Sequence, residues 1–297
     1  MRILIAGGGV AGLTLAAKLA QQGRRPVVVE QSSEYGDDGY GISLYPLGSC
    51  VFHGLGLYDE LTARAEPCRR YEIADHAGKA LQSVDMSELT DNVGPMFTLS
   101  RRDLIDVLRK ACGDLPIRMG TRIESIDQAG GAVEVGFSDN TTGQFDLVVG
   151  CDGIHSSVRK LILGEQEVFD TGWTIWTWWG RPGLIPSDLV REYWGRECFF
   201  GVYPAPGRCM FGAGLPTEAI QQPHASEEVV RPVLASVFSE LLEKVPEARL
   251  AFDDAQTVFG WPMTDVRARE WYCGRVALCG DAGAAFLPTA GVGASSA

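Results

Sequence analysis

RILIAGGGVAGLTLAAKLAQQGRRPVVVE, residues Arg2 to Glu30, contains a short apolar run, a glycine cluster, a helical pattern and a second apolar run, in that order. We expect a buried strand at Arg2–Ala6, a helix at Val10–Gln22 and a strand at Pro26–Glu30. Two strands joined by a helix form a βαβ unit, which implies a parallel sheet with both faces covered. This stretch therefore predicts the fold of the first part of the chain.

The glycine cluster is a G-x-G-x-x-G sequence between the predicted strand and helix. Glycines allow a tight turn and the close approach of a pyrophosphate, whose charge meets the unpaired N–H groups of a helix N-terminus. Glu30 ends the second strand, where a carboxylate can accept both hydroxyls of an adenosine ribose. The order of these features predicts a dinucleotide site, and it leaves open whether the dinucleotide is NAD or FAD. The candidate residues of the turn are Gly7, Gly9, Val10, Ala11 and Gly12.

Length and composition indicate an ordinary globular protein. The 297 residues are 45% hydrophobic and 22% charged, and a chain of this length forms about two domains. A formal net charge of −12 argues against nucleic acid as a partner, because phosphate-backbone binding depends on clustered lysine and arginine. We expect no membrane span, since no stretch reaches the roughly 20 apolar residues that a bilayer requires. The scattered cysteines, without a C-x-x-C pair, favour reduced thiols in a cytoplasmic protein and argue against a metal site.

Further along the chain, helical and strand patterns alternate. We expect a hairpin of Tyr71–Asp75 and Lys79–Val84, and a helix at Ser100–Cys112 that begins with a capping box. From Trp173 to Leu215, an aromatic-rich alternation with a period of two residues predicts an antiparallel sheet. The fold class is therefore α/β, with a Rossmann-like parallel-sheet domain and a second, mostly antiparallel domain. The other predicted elements are strands at Ile117–Ile126, Ala132–Phe137, Phe145–Gly150 and Arg275–Cys279, and helical spacing at Glu227–Lys244.

A second motif follows the predicted strand Phe145–Gly150. This strand delivers Asp152-Gly153 to its carboxyl end, which is the edge where doubly wound sheets bind ligands. An ordinary turn, with Ser156 as a helix cap, explains the same residues equally well. Both interpretations stay open on the sequence alone.

A third motif follows the predicted strand Arg275–Cys279. Here the sequence Gly280-Asp281 again stands at the end of a strand. The stretch Pro288–Gly293 then supplies bare backbone donors near the start of a further predicted helix.

These three motifs, in this order and at these separations, resemble the signatures of the class A flavin-dependent monooxygenases, the para-hydroxybenzoate hydroxylase family. The likeness spans nearly the whole chain. GYGISLYP at residues 39–46, followed by GLGLYDEL at 54–61, is similar to the family segment that passes the flavin ring. LSRRDL at 99–104 resembles the arginine-bearing helix start of the same enzymes. The resemblance implies interleaved domains, with 1–70, 99–168 and 265–297 forming the FAD-binding domain and 71–98 and 169–264 forming the substrate domain.

The resemblance implies FAD as the cofactor and NAD(P)H as a co-substrate. Arg101 would lie beside the FAD pyrophosphate or ribityl chain, with Arg102 as the second choice. Asp281 would hold a ribityl hydroxyl, and Asp152 would lie between the regions used by FAD and by NAD(P)H. Negative charge on the reduced flavin would be stabilised by a helix N-terminus behind the last loop. The remaining backbone contacts would come from Gly280, Pro288, Gly291, Val292 and Gly293.

The resemblance also implies the reaction. FAD would be reduced by NAD(P)H and react with O2 to a flavin C4a-hydroperoxide, which would hydroxylate an aromatic or polyketide-like small molecule. Catalytic side chains stay unassigned, because Gly280-Asp281-Ala282 lacks the histidine that the family often has there. The alternatives are a flavin-binding fragment, a non-catalytic flavoprotein, or an FAD-linked reductase of related fold. Since family members continue into a helix and further elements, the resemblance implies C-terminal truncation, and a protein ending at Ala297 is expected to bind FAD weakly.

The substrate pocket is predicted from the tryptophan-rich sequence WTIWTWW, residues 173–179. In a strand, Trp176 and Trp178 share one face, because side chains alternate between faces. That face would form a flat apolar pocket over the flavin, with Tyr203 and Phe211 contributed by neighbouring strands. Ordinary sheet packing explains any single tryptophan equally well.

Overall fold

The protein is described by a computed structural model that covers residues 1–36, 40–86, 94–220, 226–255, 257–286 and 293–296. Within these ranges the strands form four sheets, of six, eight, three and three strands. The α/β class with one parallel and one mostly antiparallel sheet is confirmed. None of the helices in the described ranges is both long and apolar enough to cross a bilayer.

The six-stranded sheet contains the predicted βαβ unit. Five of its strands run parallel, and the short strand at one edge runs antiparallel. In register, Ala6 lies opposite Gly150, and Gly150 lies opposite Leu278, so three strands end at the same level. The strands, from one edge to the other, are β18 (Tyr272–Cys273), β19 (Val276–Leu278), β12 (Leu147–Gly150), β1 (Ile3–Ala6), β2 (Val27–Val29) and β8 (Ile117–Arg118).

The eight-stranded sheet is antiparallel except where its sixth and seventh strands pair in parallel. The predicted hairpin joins this sheet, since the strands at 70–75 and 80–85 pair antiparallel with each other. In order, the strands are β20 (Ala284–Ala285), β17 (Phe259–Arg267), β13 (Phe169–Gly180), β16 (Arg208–Pro216), β15 (Phe199–Ala205), β14 (Leu189–Trp194), β5 (Arg70–Asp75) and β6 (Ala80–Asp85).

The two smaller sheets correct two predicted strands. Ile117–Ile126 is not continuous, because Gly120 adopts φ +66 and its N–H donates to the Ser32 carbonyl, which turns the chain into a different sheet. Phe145–Gly150 likewise divides at Asp146 between two sheets. The strands of these two sheets, in order, are β3 (Gly41–Leu44), β7 (Met96–Ser100) and β4 (Glu66–Cys68), and β11 (Thr142–Phe145), β10 (Val133–Phe137) and β9 (Ile123–Asp127).

Nine α-helices are described, and the helix that begins at Arg101 starts as the capping box predicts. The Ser100 hydroxyl oxygen accepts a hydrogen bond from the Asp103 N–H at 3.0 Å. The predicted helical stretch Glu227–Lys244 is interrupted at Phe238, a buried residue. The α-helices are Val10–Gln21, Pro46–Leu55, Tyr58–Thr62, Arg101–Cys112, Ser157–Leu163, Glu227–Val237, Ser239–Lys244, Pro246–Asp253 and Gly293–Ser296, with 3₁₀ turns at Thr217–Ala219 and Gly280–Ala282.

One face of the eight-stranded sheet is covered by the helices between residues 227 and 253. Phe200 lies at the centre of this core with no exposed surface, and its ring packs edge-on against Trp178 and Phe238, with centroids 5.7 and 5.6 Å apart. Because this face is filled by packed side chains, a ligand has to approach the sheet from the opposite face.

We expect Phe200→Ala to lower the free energy of unfolding by about 3–5 kcal/mol, because it removes a buried ring and leaves a cavity. Phe169→Ala is the matched control, since that side chain is 59% exposed. Thermal unfolding followed by circular dichroism measures both variants. Equal midpoints for the two would contradict the assignment of this core.

Candidate functional site

The three sequence motifs meet at the carboxyl edge of the parallel sheet. The Cys151 N–H donates to the Ala6 carbonyl at 2.6 Å, and the Cys279 N–H donates to the Gly150 carbonyl at 2.9 Å. Gly7 adopts φ +107, and a side chain there would overlap the Cys151 carbonyl. The turn after β1 therefore needs glycine to lie against the strand end that carries the second motif.

The other glycines of the turn have two distinct roles. A side chain at Gly12 would overlap the Gly7 carbonyl, so Gly12 allows the helix to pack close to the turn. Apart from its own chain neighbours, no described residue places an atom within 4 Å of a Cβ built on Gly9, which lines a cavity together with Val10 and Ala11. In the described ranges no side chain caps the helix that begins at Val10, so its first N–H groups and its positive dipole end are free to meet a ligand.

Glu30 fastens the end of β2 to the glycine turn. One carboxylate oxygen accepts from the Gly8 N–H at 2.7 Å, and the other accepts from the Ser32 N–H at 2.9 Å. A carboxylate offers about four lone-pair sites, so it retains acceptor capacity for a ligand hydroxyl. The ribose contact of Glu30 stays a prediction.

Tyr35 was not identified from the sequence, although it lies beside the same turn. A side chain at Gly8 would reach the Tyr35 hydroxyl, which is buried and has no hydrogen-bond partner among the described residues. Burial, with the nearby Glu30 charge, raises the pKa of Tyr35 to about 12, so the phenol is protonated at neutral pH. It is an unused donor next to the predicted ribose position.

The Asp152 side chain caps a helix. Its carboxylate accepts from the Ser156 hydroxyl at 2.5 Å, the Ser157 hydroxyl at 3.0 Å and the Val158 N–H at 3.1 Å, at the start of the helix Ser157–Leu163. The turn-and-cap interpretation therefore describes this side chain, while the adjacent Gly153, at φ +82, lines the cavity through its backbone. Contact between Asp152 and a cofactor stays a prediction.

Arg159 ties the second motif to the third. This buried side chain donates to the Ala282 carbonyl at 2.9 Å and to the Ile154 carbonyl at 2.6 Å. Burial lowers the pKa of its guanidinium. The only sequence signal for this role was its position at the end of the Asp152 motif.

Two charged residues of the prediction line the cavity. Arg101 does so from the start of its helix, with its guanidinium carbon 6.0 Å from the centre of the Tyr40 ring, whereas the Arg102 side chain lies 3.9 Å from the Asp106 carboxylate. Asp281 also lines the cavity, and the surrounding protein raises the pKa of its carboxyl by shielding it from bulk water.

The last loop is described only at its ends. Gly280 is buried with φ +58, and Gly293 lines the cavity at the start of the short helix Gly293–Ser296. In this helix the Ser295 hydroxyl accepts from the Tyr45 N–H at 2.8 Å. Pro288, Gly291 and Val292 lie outside the described residues.

The cavity has a volume of about 410 Å³ and lies between the carboxyl edge of the parallel sheet and the open face of the eight-stranded sheet. The glycine turn, Arg101 and Asp281 form one side. The other side is made by side chains of β13, β14, β15, β16 and β17, namely Ile175, Thr177, Glu192, Trp194, Phe199, Tyr203, Met210 and Trp261.

The predicted substrate residues are divided by the sheet. Tyr203 lines the cavity, but Trp176, Trp178 and Phe211 lie in the core on the opposite face, where the Trp178 indole N–H donates to the Ala251 carbonyl at 2.9 Å. The alternation along β13 was predicted correctly, and the choice of face was wrong. Helices cover the tryptophan face, so Thr177 and its neighbours form the cavity wall.

A thiol pair lies at the ends of β12 and β19. The hydrogen bond from Cys151 lowers the pKa of Cys279 to about 6, and the same bond, with burial, raises the pKa of Cys151 well above its ordinary value. Cys151 also lines the cavity. Cys279, the less buried thiol of the pair, is therefore the one that deprotonates more readily.

The chain matches the model of the FAD binding domain family over residues 1–297. It is 30% identical over 298 residues to 2-heptyl-3-hydroxy-4(1H)-quinolone synthase from Pseudomonas aeruginosa, covering all of this chain and 78% of that protein. It is 29% identical over 313 residues to 3-amino-4-hydroxybenzoate 2-monooxygenase from Streptomyces cremeus, covering all of this chain and 76% of that protein. The fold is similar to that of HpxO from Klebsiella pneumoniae complexed with FAD and uric acid, with a TM-score of 0.91 at 24% identity over 100% of this chain and 76% of that one.

Fold and site together define an FAD-dependent monooxygenase of the class A type. The chain belongs to the FAD binding domain family. Its residues fit the cofactor, because within the described part of the chain Gly9 leaves open space, the helix behind it is uncapped and the Tyr35 hydroxyl lacks a protein partner. The family match confirms the expected cofactor, FAD, while the contact of each individual residue with it stays a prediction.

We expect Gly9→Ala to weaken FAD binding at least tenfold without changing the unfolding midpoint of the apoprotein. The backbone at Gly9, φ −80, suits alanine, and the added methyl occupies only the space left for the ligand. Gly130→Ala, the same change in an open loop, is the control. FAD titration followed by flavin fluorescence measures both, and equal affinities would show that the pyrophosphate does not approach Gly9.

We expect Cys279 to be alkylated by iodoacetamide at a pH below the ordinary thiol range of about 8.5, because only the thiolate reacts. The rate should rise as pH rises through the lowered pKa. In Cys151→Ala the donated hydrogen bond is lost, so the profile should move to higher pH. Mass mapping measures Cys279 with exposed Cys273 as an internal reference, and an unchanged profile in Cys151→Ala contradicts the pairing.

Proposed function

We propose that this protein uses NAD(P)H and O2 to hydroxylate a small aromatic molecule in the cavity between its two large sheets. The observation that carries the proposal is the continuity of this cavity, which runs from the glycine turn to an aromatic wall on the eight-stranded sheet. The relatives' names, a quinolone synthase and an aminohydroxybenzoate monooxygenase, support an aromatic substrate. FAD, when bound, supplies the redox chemistry by accepting a hydride from NAD(P)H and activating O2.

The residues of the protein bind the cofactor and orient it in the cavity. The backbone N–H groups at the start of the helix Val10–Gln21 meet the negative charge of a pyrophosphate, and Arg101 adds a positive charge on the same side of the cavity. The short helix that begins at Gly293 presents its N-terminus from the third motif. These donors all come from the parallel-sheet side, so the reactive ring would face the eight-stranded sheet.

The opposite wall excludes water and holds the substrate. Ile175, Phe199 and Met210 supply apolar surface, and Trp261 packs against Tyr40 with ring centroids 4.7 Å apart. Apolar walls with a few placed polar groups are typical of small-molecule sites. In such a setting the substrate ring lies between the cofactor and the sheet.

The sheet memberships support part of the proposed interleaving of domains. β5 and β6, from the segment 71–98, pair into the same sheet as the strands of 169–264. Because the chain passes between the two proposed domains several times, the substrate wall stays connected to the cofactor-binding sheet.

We expect the FAD-loaded protein to oxidise NAD(P)H faster when a suitable aromatic is added, and to place one atom of ¹⁸O2 in the product. Absorbance at 340 nm measures the first and product mass the second. A reductase would oxidise NAD(P)H without transferring oxygen to the aromatic, and a non-catalytic flavoprotein would do neither. Either of those results would overturn the proposed monooxygenase reaction.

A further inference from the structure

Four residues form one row across the cavity face of the eight-stranded sheet. Thr177 on β13 lies opposite Gly212 on β16, Gly212 lies opposite Gly201 on β15, and Gly201 lies opposite Glu192 on β14. Residues opposite one another in adjacent strands point to the same face. The row therefore has a polar side chain at each end and no side chains between them.

The two glycines differ in what lies above them. A side chain at Gly201 would overlap the Tyr203 ring, so that ring covers Gly201. Above Gly212 the nearest atoms to a would-be Cβ are a Tyr203 ring carbon at 3.7 Å and the Thr177 methyl at 3.9 Å, so no side chain overlaps this position. In the next row, the Phe199 ring covers Gly214 in the same way. The result is a flat floor at Gly212, bordered by two aromatic rings.

Glu192 is the acceptor at one end of the row. Its carboxylate accepts from the Tyr203 hydroxyl at 2.6 Å and from the Trp194 indole N–H at 2.8 Å, and Tyr71 shares the same carboxylate. Burial, with the Glu192 charge, raises the pKa of Tyr203 well above its ordinary value, so this phenol stays a donor. A carboxylate has about four lone-pair sites, so Glu192 can accept one more hydrogen bond from the cavity.

Thr177 is the polar group at the other end. Its side chain is buried, at 4% exposure, and its hydroxyl has no hydrogen-bond partner among the described residues. A buried hydroxyl without a partner is unfavourable by about 1–3 kcal/mol. This hydroxyl has almost no accessible surface, and the methyl is the Thr177 atom near the Gly212 floor, so Thr177 meets a ligand in the cavity through its methyl group.

Among the described residues, the cavity wall on the eight-stranded sheet carries only negative charge. Among the described residues of the eight-stranded sheet that line the cavity, Glu192 is the only charged side chain, and no lysine, arginine or histidine accompanies it. Arg101 lies on the other side, on a helix that packs against the helix Val10–Gln21. A ligand carboxylate at the sheet wall would meet a like charge without a compensating cation.

We propose that Glu192, Thr177 and the bare floor at Gly212 select a planar aromatic substrate that is uncharged and carries a ring N–H or O–H donor. The donor hydrogen-bonds to Glu192, and the Thr177 methyl packs against the same ring system. The row discriminates against aromatic carboxylates. This assignment rests on the proposed function, which makes the bound aromatic molecule a substrate. The assignment itself concerns only how tightly that molecule binds.

The first test compares three bicyclic ligands of similar size by calorimetric titration of the FAD-loaded protein, without NAD(P)H. 4-Quinolone carries an N–H donor, 1-methyl-4-quinolone lacks it, and quinoline-4-carboxylate carries a negative charge. We expect 4-quinolone to bind at least tenfold more tightly than either of the others, since a hydrogen bond to a charged group is lost in one and like charges meet in the other. Equal or tighter binding of the carboxylate overturns the proposal.

Glu192→Gln keeps the shape of the side chain and removes its charge. In this variant 4-quinolone should bind about tenfold more weakly, the penalty for N-methylation should shrink, and the carboxylate should bind better than in the parent protein. Glu197→Gln, the same change on an exposed residue of the same hairpin, should behave as the parent. Identical selectivity in the two variants overturns the role of Glu192.

Gly212→Ala tests the floor. The added methyl would make only ordinary van der Waals contacts with the protein, so the unfolding midpoint should match that of Gly130→Ala. We expect 4-quinolone to bind at least tenfold more weakly in Gly212→Ala, because the methyl occupies the place of the ring. Unchanged binding shows that the ring lies elsewhere. All these readouts are affinities, so a protein that binds as expected but transfers no oxygen would contradict the proposed reaction and leave this assignment standing.

Discussion

The common register of β1, β12 and β19 is the constraint on which the site depends. Because these parallel strands end at one level, the loops that follow them emerge side by side at a single edge. Three segments more than a hundred residues apart are thereby brought within hydrogen-bonding distance. The Arg159 side chain then donates to backbone carbonyls in the second and third loops, which holds these two loops together at the edge of the sheet.

The eight-stranded sheet divides two tasks between its faces. One face is filled by Trp176, Trp178 and Phe200 under the helices, and this packing holds the sheet in place. The other face carries mostly apolar and aromatic side chains with Thr177 and Glu192 among them, and glycines there make room for aromatic rings to lie flat. The sheet therefore forms a rigid cavity wall with a strip of glycines that carry no side chains. A binding site needs such rigidity in order to hold an aromatic ring in one orientation.

Much of the cofactor side could be predicted because its signals are local. The turn from Gly7 to Gly12, the helix behind it and the strand before Glu30 occupy one continuous stretch, in which Gly7 is explained by its positive φ and Gly12 by its close packing on the turn. Asp152 was harder to interpret, since the same Asp-Gly pair serves a turn, a helix cap or a ligand. Tyr35 and Glu192 gave no signal, because their partners are distant in sequence and are assembled only by folding.

The sequence by itself determined the alternating elements, the parallel sheet, the glycine turn and the family resemblance, since each depends on residue order within a short range. Only the tertiary structure decided which face of β13 meets the cavity. Periodicity separates Trp176 and Trp178 from Ile175 and Thr177, but it cannot tell which set the helices between residues 227 and 253 will cover. That choice depends on contacts between elements some 60 residues apart, and it placed the tryptophans in the core and the threonine at the ligand.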